Sequence, residues 1–371
     1  MAATVIAVVS RAAWPAVHGG AELFATRVAE ELAKQGHRVL LVTASNVSPS
    51  AVEVVRIDGV CRWMPLLRSI CVDWEAAKQV ARIEPDVVLV NAYWSSATAW
   101  FLRRLGYRGR VALIIHDLGL IHRRDSAGKQ FRLWLLARSA SASDVVIVPT
   151  ERVAMDVARV SLASPDRIRV LGFEGVEAPM KRVHVENGFF DVVQVARFSP
   201  NKGQHVLLKA VDILLRETEW ARRELRVVLV GGLTDRGYYQ RLAAEAAEIN
   251  ARAGRRLIEL RPNVKDVDPY YRVADVCVAA SLGEEGYGIA VEECMGYGKP
   301  VVATTLFKML GRIDEETGYI VPPGDPAALA DALRAVHDKP DEALKKASRG
   351  LEKVRQHSWD KVASRILNLL D

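Results

Sequence analysis

The chain has little cysteine: Cys61, Cys71, Cys277 and Cys294 are spread over 371 residues at spacings that match no metal-ligand pattern. A disulfide-framed secreted domain and a zinc-organised one are excluded on that ground, and a reduced cytoplasmic chain is the expectation. No stretch reaches the ~18 uninterrupted apolar residues that a membrane-spanning helix needs. The opening MAATVIAVVSRAAWP lacks the basic n-region and long apolar core of a signal peptide and reads as a first strand. Short-period repeats and low-complexity tracts are missing, as are helix-turn-helix, RNP and zinc patterns, so nucleic acid is not an expected partner. Asn and Gln are sparse and arginine outnumbers lysine, a bias that points toward a hot habitat.

Charge is present but unevenly placed. The formal net charge is +6, and residues 1–185 carry 24 Lys+Arg against 17 Asp+Glu, whereas residues 186–371 carry 27 against 28. The basic excess of the N-terminal half suits an anionic partner, such as membrane lipid or an acidic acceptor, or else a surface kept charged for solubility. The stretch AYWSSATAWFLRRLGYRGR gathers Trp94, Trp100, Phe101, Arg103, Arg104, Tyr107 and Arg108. A helix with its aromatics in the core is the favoured reading; docking on anionic lipid is the alternative.

A length of 371 residues exceeds one ordinary core and implies two domains. TVIAVVS, RVLLVTA, DVVLVNA, RVALIIHD, DVVIVPT and IRVLGF alternate with helical stretches, Gly36 serving as a C-cap of the first. After the less regular EGVEAPMKRVHVENG the alternation restarts with FFDVVQVARF, LRVVLVGG, LIELRP, ADVCVAAS and PVVAT. Continuous Val/Ile/Leu runs, unlike alternating ones, predict parallel strands buried on both faces. The expected architecture is α/β: two Rossmann-like, doubly wound parallel-sheet domains, residues 1–183 and 190–356, with an interdomain cleft. A C-terminal helix in 357–371 is expected to pack back on the first domain.

EEGYGIAVEEC, between two core strands, puts acids and glycines where α/β proteins keep ligands. Helical from about Gly288, the segment separates the Glu285 and Glu293 carboxylates by roughly 10–12 Å. That is too far for a shared metal and suits the two ends of one extended ligand. The glycines admit close backbone approach, and a helix N-terminus offers unpaired N–H groups to phosphate. A nucleotide-sugar fits this spacing. VARFSPNKGQH, after the first strand of the second domain, supplies the cations a diphosphate needs, Arg197 and Lys202.

Taken in order, WPAVHGGAELFATRVAEELAKQGHRVLLVT, LIIHD, VARFSPNKG, LVGG, the E-x7-E of EEGYGIAVEECMGYGKPVVAT, and TGYIVPPGD resemble the family-4 retaining glycosyltransferases of the GT-B fold, nearly end to end. The resemblance implies a metal-independent, cytoplasmic enzyme, without a cofactor, that moves a hexose from a nucleoside-diphosphate sugar to a glycan, glycolipid or polyprenyl-linked hydroxyl. Arg197 and Lys202 would hold the diphosphate, Glu285 the transferred sugar and Glu293 the ribose. Gly19 and Gly20 would admit phosphate and acceptor, and His116 would approach the reacting sugar. Gly231, Val264, Gly288, Ile289 and Ala290 would line the nucleotide. Peripheral contact with an anionic membrane at the inner face would follow from the basic first domain.

Two segments depart from the family pattern: TTLFKMLGRIDEETG replaces a glycine pair and Glu, and EGVE, from Glu174 to Glu177, replaces Asn-Gly-Val-Asp. The first, the loop after Thr305, keeps open a rival in which the chain is a non-catalytic nucleotide-sugar-binding regulator. A dinucleotide oxidoreductase is disfavoured, because VHGGAEL lacks the G-x-G-x-x-G spacing. His116 beside Asp117 also reads as a capped strand end, and His122, His205 and His357 read as structural. The DVD of Asp266–Asp268 reads as an N-cap at Asp268 followed by Pro269, not as a metal site.

Overall fold

The computed structural model describes residues 4–16, 20–57, 65–92, 96–116, 127–160, 163–172, 175–176, 178–183, 185–283 and 288–370. The chain divides into two units, Met1–Gly175 with Trp359–Asp371, and Val176–Ser358.

The first unit runs β1 (Val5–Val9), α1 (Gly20–Lys34), β2 (Arg38–Thr43), β3 (Glu53–Arg56), α2 (Pro65–Ile83), β4 (Val87–Ala92), α3 (Thr98–Arg104), β5 (Arg110–Ile115), α4 (Ala127–Ala142), β6 (Val145–Val148), α5 (Glu151–Arg159) and β7 (Ile168–Val170). Among the described residues these strands form one parallel sheet, in the order β3-β2-β1-β4-β5-β6-β7. Both faces of each inner strand are covered, which explains the unbroken apolar runs. Ile6 and Val8 of β1 enter one helical layer, and Ala7 and Val9 the other. Gly36, at φ +91°, ends α1: its N–H donates to the Ala33 carbonyl (3.0 Å) and that of His37 to Leu32 (3.2 Å), a Schellman closure.

The second unit runs β8 (Phe190–Val195), α6 (Gln204–Glu217), α7 (Glu219–Arg223), β9 (Leu225–Gly231), α8 (Arg236–Ala253), β10 (Ile258–Pro262), α9 (Asp268–Val273), β11 (Val276–Ala279), α10 (Ile289–Gly296), β12 (Val301–Thr304), α11 (Thr305–Met309), β13 (Tyr319–Val321), α12 (Pro326–Asp338) and α13 (Pro340–Val354). Its sheet is parallel in the order β10-β9-β8-β11-β12-β13. α14 (Trp359–Leu370) belongs to the first unit, where Val362, Ala363, Ile366 and Leu370 are buried with Phe24 and Val28 of α1.

Strand order reverses between β1 and β4 in one sheet and between β8 and β11 in the other. Crevices outside the carboxyl ends of strands at such reversals are where open α/β sheets hold ligands.

Cys277 and Cys294 correct the expectation of a reduced chain: they form a disulfide. Cys277 on β11 and Cys294 on α10 point into the same apolar layer, with Cα atoms 6.4 Å apart and a sequence separation of 17. A strand and a helix sharing a layer leave no signature in Cys spacing. A loop of that length confers about 3 kcal/mol when closed. Reduction, checked by thiol labelling after denaturation, should lower the melting temperature of the second unit by about 6–12 °C. An unchanged melt of fully reduced protein would deny the bridge any stabilising role.

Candidate active site

The turn after β8 is built from both sides. Ala196 N–H donates to the Val230 carbonyl and Phe198 N–H to that of Gly232, each at 2.8 Å, so the pairing with β9 continues past the strand ends. Phe198 is fully buried and anchors this extension, while Arg197 between the two is exposed. A single 3-10 turn, Pro200–Lys202, follows and ends at Gly203. Two buried amides hold it: Gln194 Nε2 donates to the Lys202 carbonyl (2.6 Å) and Gln204 Nε2 to that of Arg197 (2.9 Å). On the other side Leu282 N–H donates to the Asn201 carbonyl (2.8 Å), tying the turn to the end of β11. The cations of the sequence pattern thus stand at the β8/β11 reversal, Arg197 exposed and Lys202 half-buried.

Gly231 closes β9 at φ +151°, and a Cβ there would lie 2.1 Å from the Ala196 carbonyl oxygen, so only glycine fits. Asn263, after β10, donates its N–H to the Gly231 carbonyl (2.8 Å) and accepts from Leu233 N–H at Oδ1 (2.9 Å). This places Val264 in the apolar layer with Tyr270 and Tyr271.

Gly288, at φ +89°, begins α10, and the N–H groups of Ile289 and Ala290 head its first turn without intrahelical partners. Glu292 and Glu293 are neighbours with opposite fates. Glu292 is fully buried, its Oε1 3.0 Å from both Arg312 Nη1 and His357 Nδ1. Burial pushes this carboxyl up, but His357 and Arg312 outweigh that and hold it below the usual range. Glu293 is half-buried, and its Oε2 accepts the Tyr271 hydroxyl (2.8 Å). Burial, and then Glu293 itself, push the Tyr271 hydroxyl far above its ordinary value, so it remains a donor. Tyr271 stacks on Tyr297 (5.1 Å between centroids), whose hydroxyl donates to Asp268 Oδ1 (2.6 Å). Asp268 is thus the first residue of α9 and not its cap, because Arg272 and Tyr297 occupy its carboxylate; Val267 stands in the cap position.

The departure after β12 has a defined form. α11 buries Phe307, whose ring would meet a Cβ on Gly288 at 2.7 Å, and Arg312 beyond it reaches Glu292. The loop therefore buttresses the start of α10 from beneath.

In the first unit His116 directly follows β5. Its Nε2 lies 2.7 Å from Asn91 Oδ1. Asn91 Nδ2 donates to Ser10 Oγ (3.2 Å) and to the Ala21 carbonyl (3.0 Å), which fixes the amide orientation and makes His116 Nε2 the N–H donor. Phe24 packs edge-on against the imidazole at 4.8 Å. One polar row thus runs across the ends of β1, β4 and β5 to the start of α1, where a Cβ on Gly20 would meet only open space. Arg11, next to Ser10, makes a bidentate pair with buried Asp73 (3.0 and 2.6 Å), and Asp73 also accepts from Ala97 N–H (2.8 Å) at the head of α3.

Sequence reading missed Asn91, Arg11, Gln194, Gln204 and Tyr271. The signal for three of them was a polar side chain inside or just after an apolar run: VVLVNA, VVSR, VVQV. Gly19 and Glu285 lie outside the described residues, as do Glu174, Glu177, Trp94, Asp117 and His122.

Away from the strand ends, α2, α3 and α4 carry a run of rings: Trp74–Phe101 and Phe101–Trp100 at 5.2 Å, Trp100–Trp134 at 5.7 Å, Trp134–Phe131 at 5.9 Å. Trp74, Phe131 and Trp134 are exposed by 40%, 46% and 43%, and Trp100 and Phe101 are half-buried. Of the rings in the favoured core reading, Tyr107 is buried and Trp100 and Phe101 are half-buried; the exposed Trp74, Phe131 and Trp134 lie outside the stretch it covered. Arg104 lies over Trp100 (4.8 Å) and Arg138 over Trp134 (5.3 Å).

Residues 18–172 match the family described as Glycosyltransferase Family 4, and residues 190–339 that described as Glycosyl transferases group 1. The chain is 27% identical, over 95% of its length and 90% of the relative's, to a D-inositol 3-phosphate glycosyltransferase of Corynebacterium efficiens. It is 30% identical, over 60% of each chain, to a phosphatidyl-myo-inositol mannosyltransferase of Mycobacterium leprae. Among solved structures, the Anabaena protein Alr3699/HepE in complex with UDP and glucose matches with a TM-score of 0.73 over 99% of both chains, at 17% identity. With each half matched by its own family and the strand orders those of two Rossmann-like sheets, the chain belongs to the Family 4 and group 1 glycosyltransferases and has the GT-B fold.

Proposed function

We propose that the protein moves a hexose from a nucleoside-diphosphate sugar to a hydroxyl acceptor, with retention at the anomeric carbon and without a metal ion. One observation carries the reading: the strand order β10-β9-β8-β11 brings Val264, Gly231, the Arg197–Lys202 turn and the head of α10 side by side. Two cations and a helix N-terminus supply the positive charge a departing diphosphate needs, which is why no metal is invoked. Glu293, held by Tyr271, accepts from the ribose hydroxyls. Leaving phosphate takes the acceptor proton on the same face, so catalysis is positioning and charge stabilisation.

Incubation with UDP-, GDP- and ADP-hexoses in chelator, with nucleotide release and product anomer read by NMR, tests this. Turnover of one donor with its anomeric configuration kept is the expected outcome; binding and release of none would sink the reading. UDP donors come first, because the Anabaena protein was solved with UDP. Tyr271→Phe should weaken UDP binding about ten-fold by removing one hydrogen bond to a carboxylate. Equal affinity in that variant would take Tyr271 out of the site.

The acceptor is lipid-linked, and the enzyme works at an anionic membrane surface. The ring-and-arginine surface on α2, α3 and α4 supports this, as does the basic charge of residues 1–185. Trp134→Ala with Phe131→Ala should release the protein from vesicles containing phosphatidylglycerol. Retention of that double variant, or failure of the parent to sediment with the vesicles, would refute the membrane contact.

A further inference from the structure

We propose that the second unit carries a second small-molecule site, at the amino-terminal rim of its sheet, which takes a small carboxylate with an apolar body and is coupled to donor binding through α9 and α10. A cavity of about 240 Å³ opens there, at the start of β8 and β12, the opposite end of the strands from Arg197. Phe190, Val336, Pro340 and Leu344 give it apolar walls, and Lys299 and Arg182 give it positive charge. Pockets for larger organic ligands run to about 300–1,000 Å³, so this one suits a small ion and not a nucleotide.

Lys299 marks the place where the carboxylate sits. It is only 3% exposed. An ammonium can give three hydrogen bonds, and among the described residues this one gives a single bond, to the Arg272 carbonyl (2.9 Å). Burial pushes it down to about 8. Asp275 also lines the cavity; its Oδ2 accepts the Asp191 N–H (2.7 Å), and the charges of Asp275 and Asp191 favour the ammonium form of Lys299 without a hydrogen bond to it among the described residues. Arg182 is exposed at the rim and forms no ion pair among the described residues. A buried ammonium short of acceptors beside an apolar hollow fits an anion with an apolar body.

The coupling is local. Lys299 holds the carbonyl at the end of α9, next to Tyr271, and its own N–H donates to the Cys294 carbonyl of α10 (3.3 Å), next to Glu293. A carboxylate that draws the ammonium into the cavity releases the end of α9 and loosens the Tyr271–Glu293 contact. Nucleotide affinity should fall about five-fold, and nucleotide should weaken carboxylate binding by the same factor. Only this coupling rests on the donor-site reading; carboxylate binding itself does not.

Calorimetry and thermal melts of the full chain with benzoate and hexanoate, against neutral benzamide, test the site; UDP titrations with and without benzoate test the coupling. The expected result is that both carboxylates bind and stabilise, benzamide does not, and Lys299→Met and Leu344→Trp each abolish the effect while melting cooperatively. Loss of UDP affinity in benzoate should vanish in Leu344→Trp, which fills the cavity from α13. Absence of binding, binding that survives Lys299→Met, or equal binding of benzamide would overturn the site. Carboxylate binding that leaves UDP affinity unchanged would overturn the coupling, and a protein that takes up benzoate but no UDP would instead fault the donor reading.

Discussion

Gly203→Ala is expected to abolish sugar transfer and to cost about 3–5 kcal/mol of stability, lowering the melt by about 10 °C. Gly203 sits at φ +67° between the cation turn and α6, and an added Cβ would lie 1.9 Å from the Ala280 carbonyl oxygen and 2.8 Å from its carbon. Both are backbone atoms of the segment that follows β11, so neither can rotate aside. Relief requires the turn to move off β11, which breaks the Asn201–Leu282 bond and displaces Lys202. Gly254→Ala separates the two causes: Gly254 has φ +66° but open space around its Cβ. It should cost only about 1 kcal/mol, from backbone strain alone. If the two variants melted and turned over alike, the tight seat of the turn against β11 would be wrong.

The second large effect is chemical. Arg197→Ala and Lys202→Ala should each lower kcat by about 10²–10³, the scale found when a donor to a developing anion is removed. The melt should barely move for Arg197→Ala, since Arg197 is exposed and joins no ion pair among the described residues. Because both cations serve one leaving group, the double variant should fall well short of the product of the singles. The measurement is kcat and KM with the preferred donor; a loss under ten-fold for both would remove them from the reaction.

The parallel sheets were legible because burial on both faces leaves unbroken Val/Ile/Leu runs, and strand ends carrying Arg197, Lys202 and the glycines stood out against them. What could not be read depends on partners distant in the chain. EEGYGIAVEEC holds two E-x7-E pairs, one residue apart. Glu292 rather than Glu293 turns inward because Arg312 and His357 meet it there. α3 starts at Thr98, well inside the stretch read as a helix, where Asp73 from α2 accepts the Ala97 N–H at its head. The aromatic surface needed Trp74, Phe131 and Trp134 from two other helices before the rings of α3 read as anything but core. The disulfide was invisible for the same reason.

α14 sets an order of events on the ribosome. The helix is made long after α1, yet it covers Phe24, Val28 and Leu32 of that helix. A nascent chain that has finished its first sheet carries an open apolar strip until residues 176–358 have been translated. Termination before α14 therefore leaves a product with that strip bare, a ready target for chaperones and proteases.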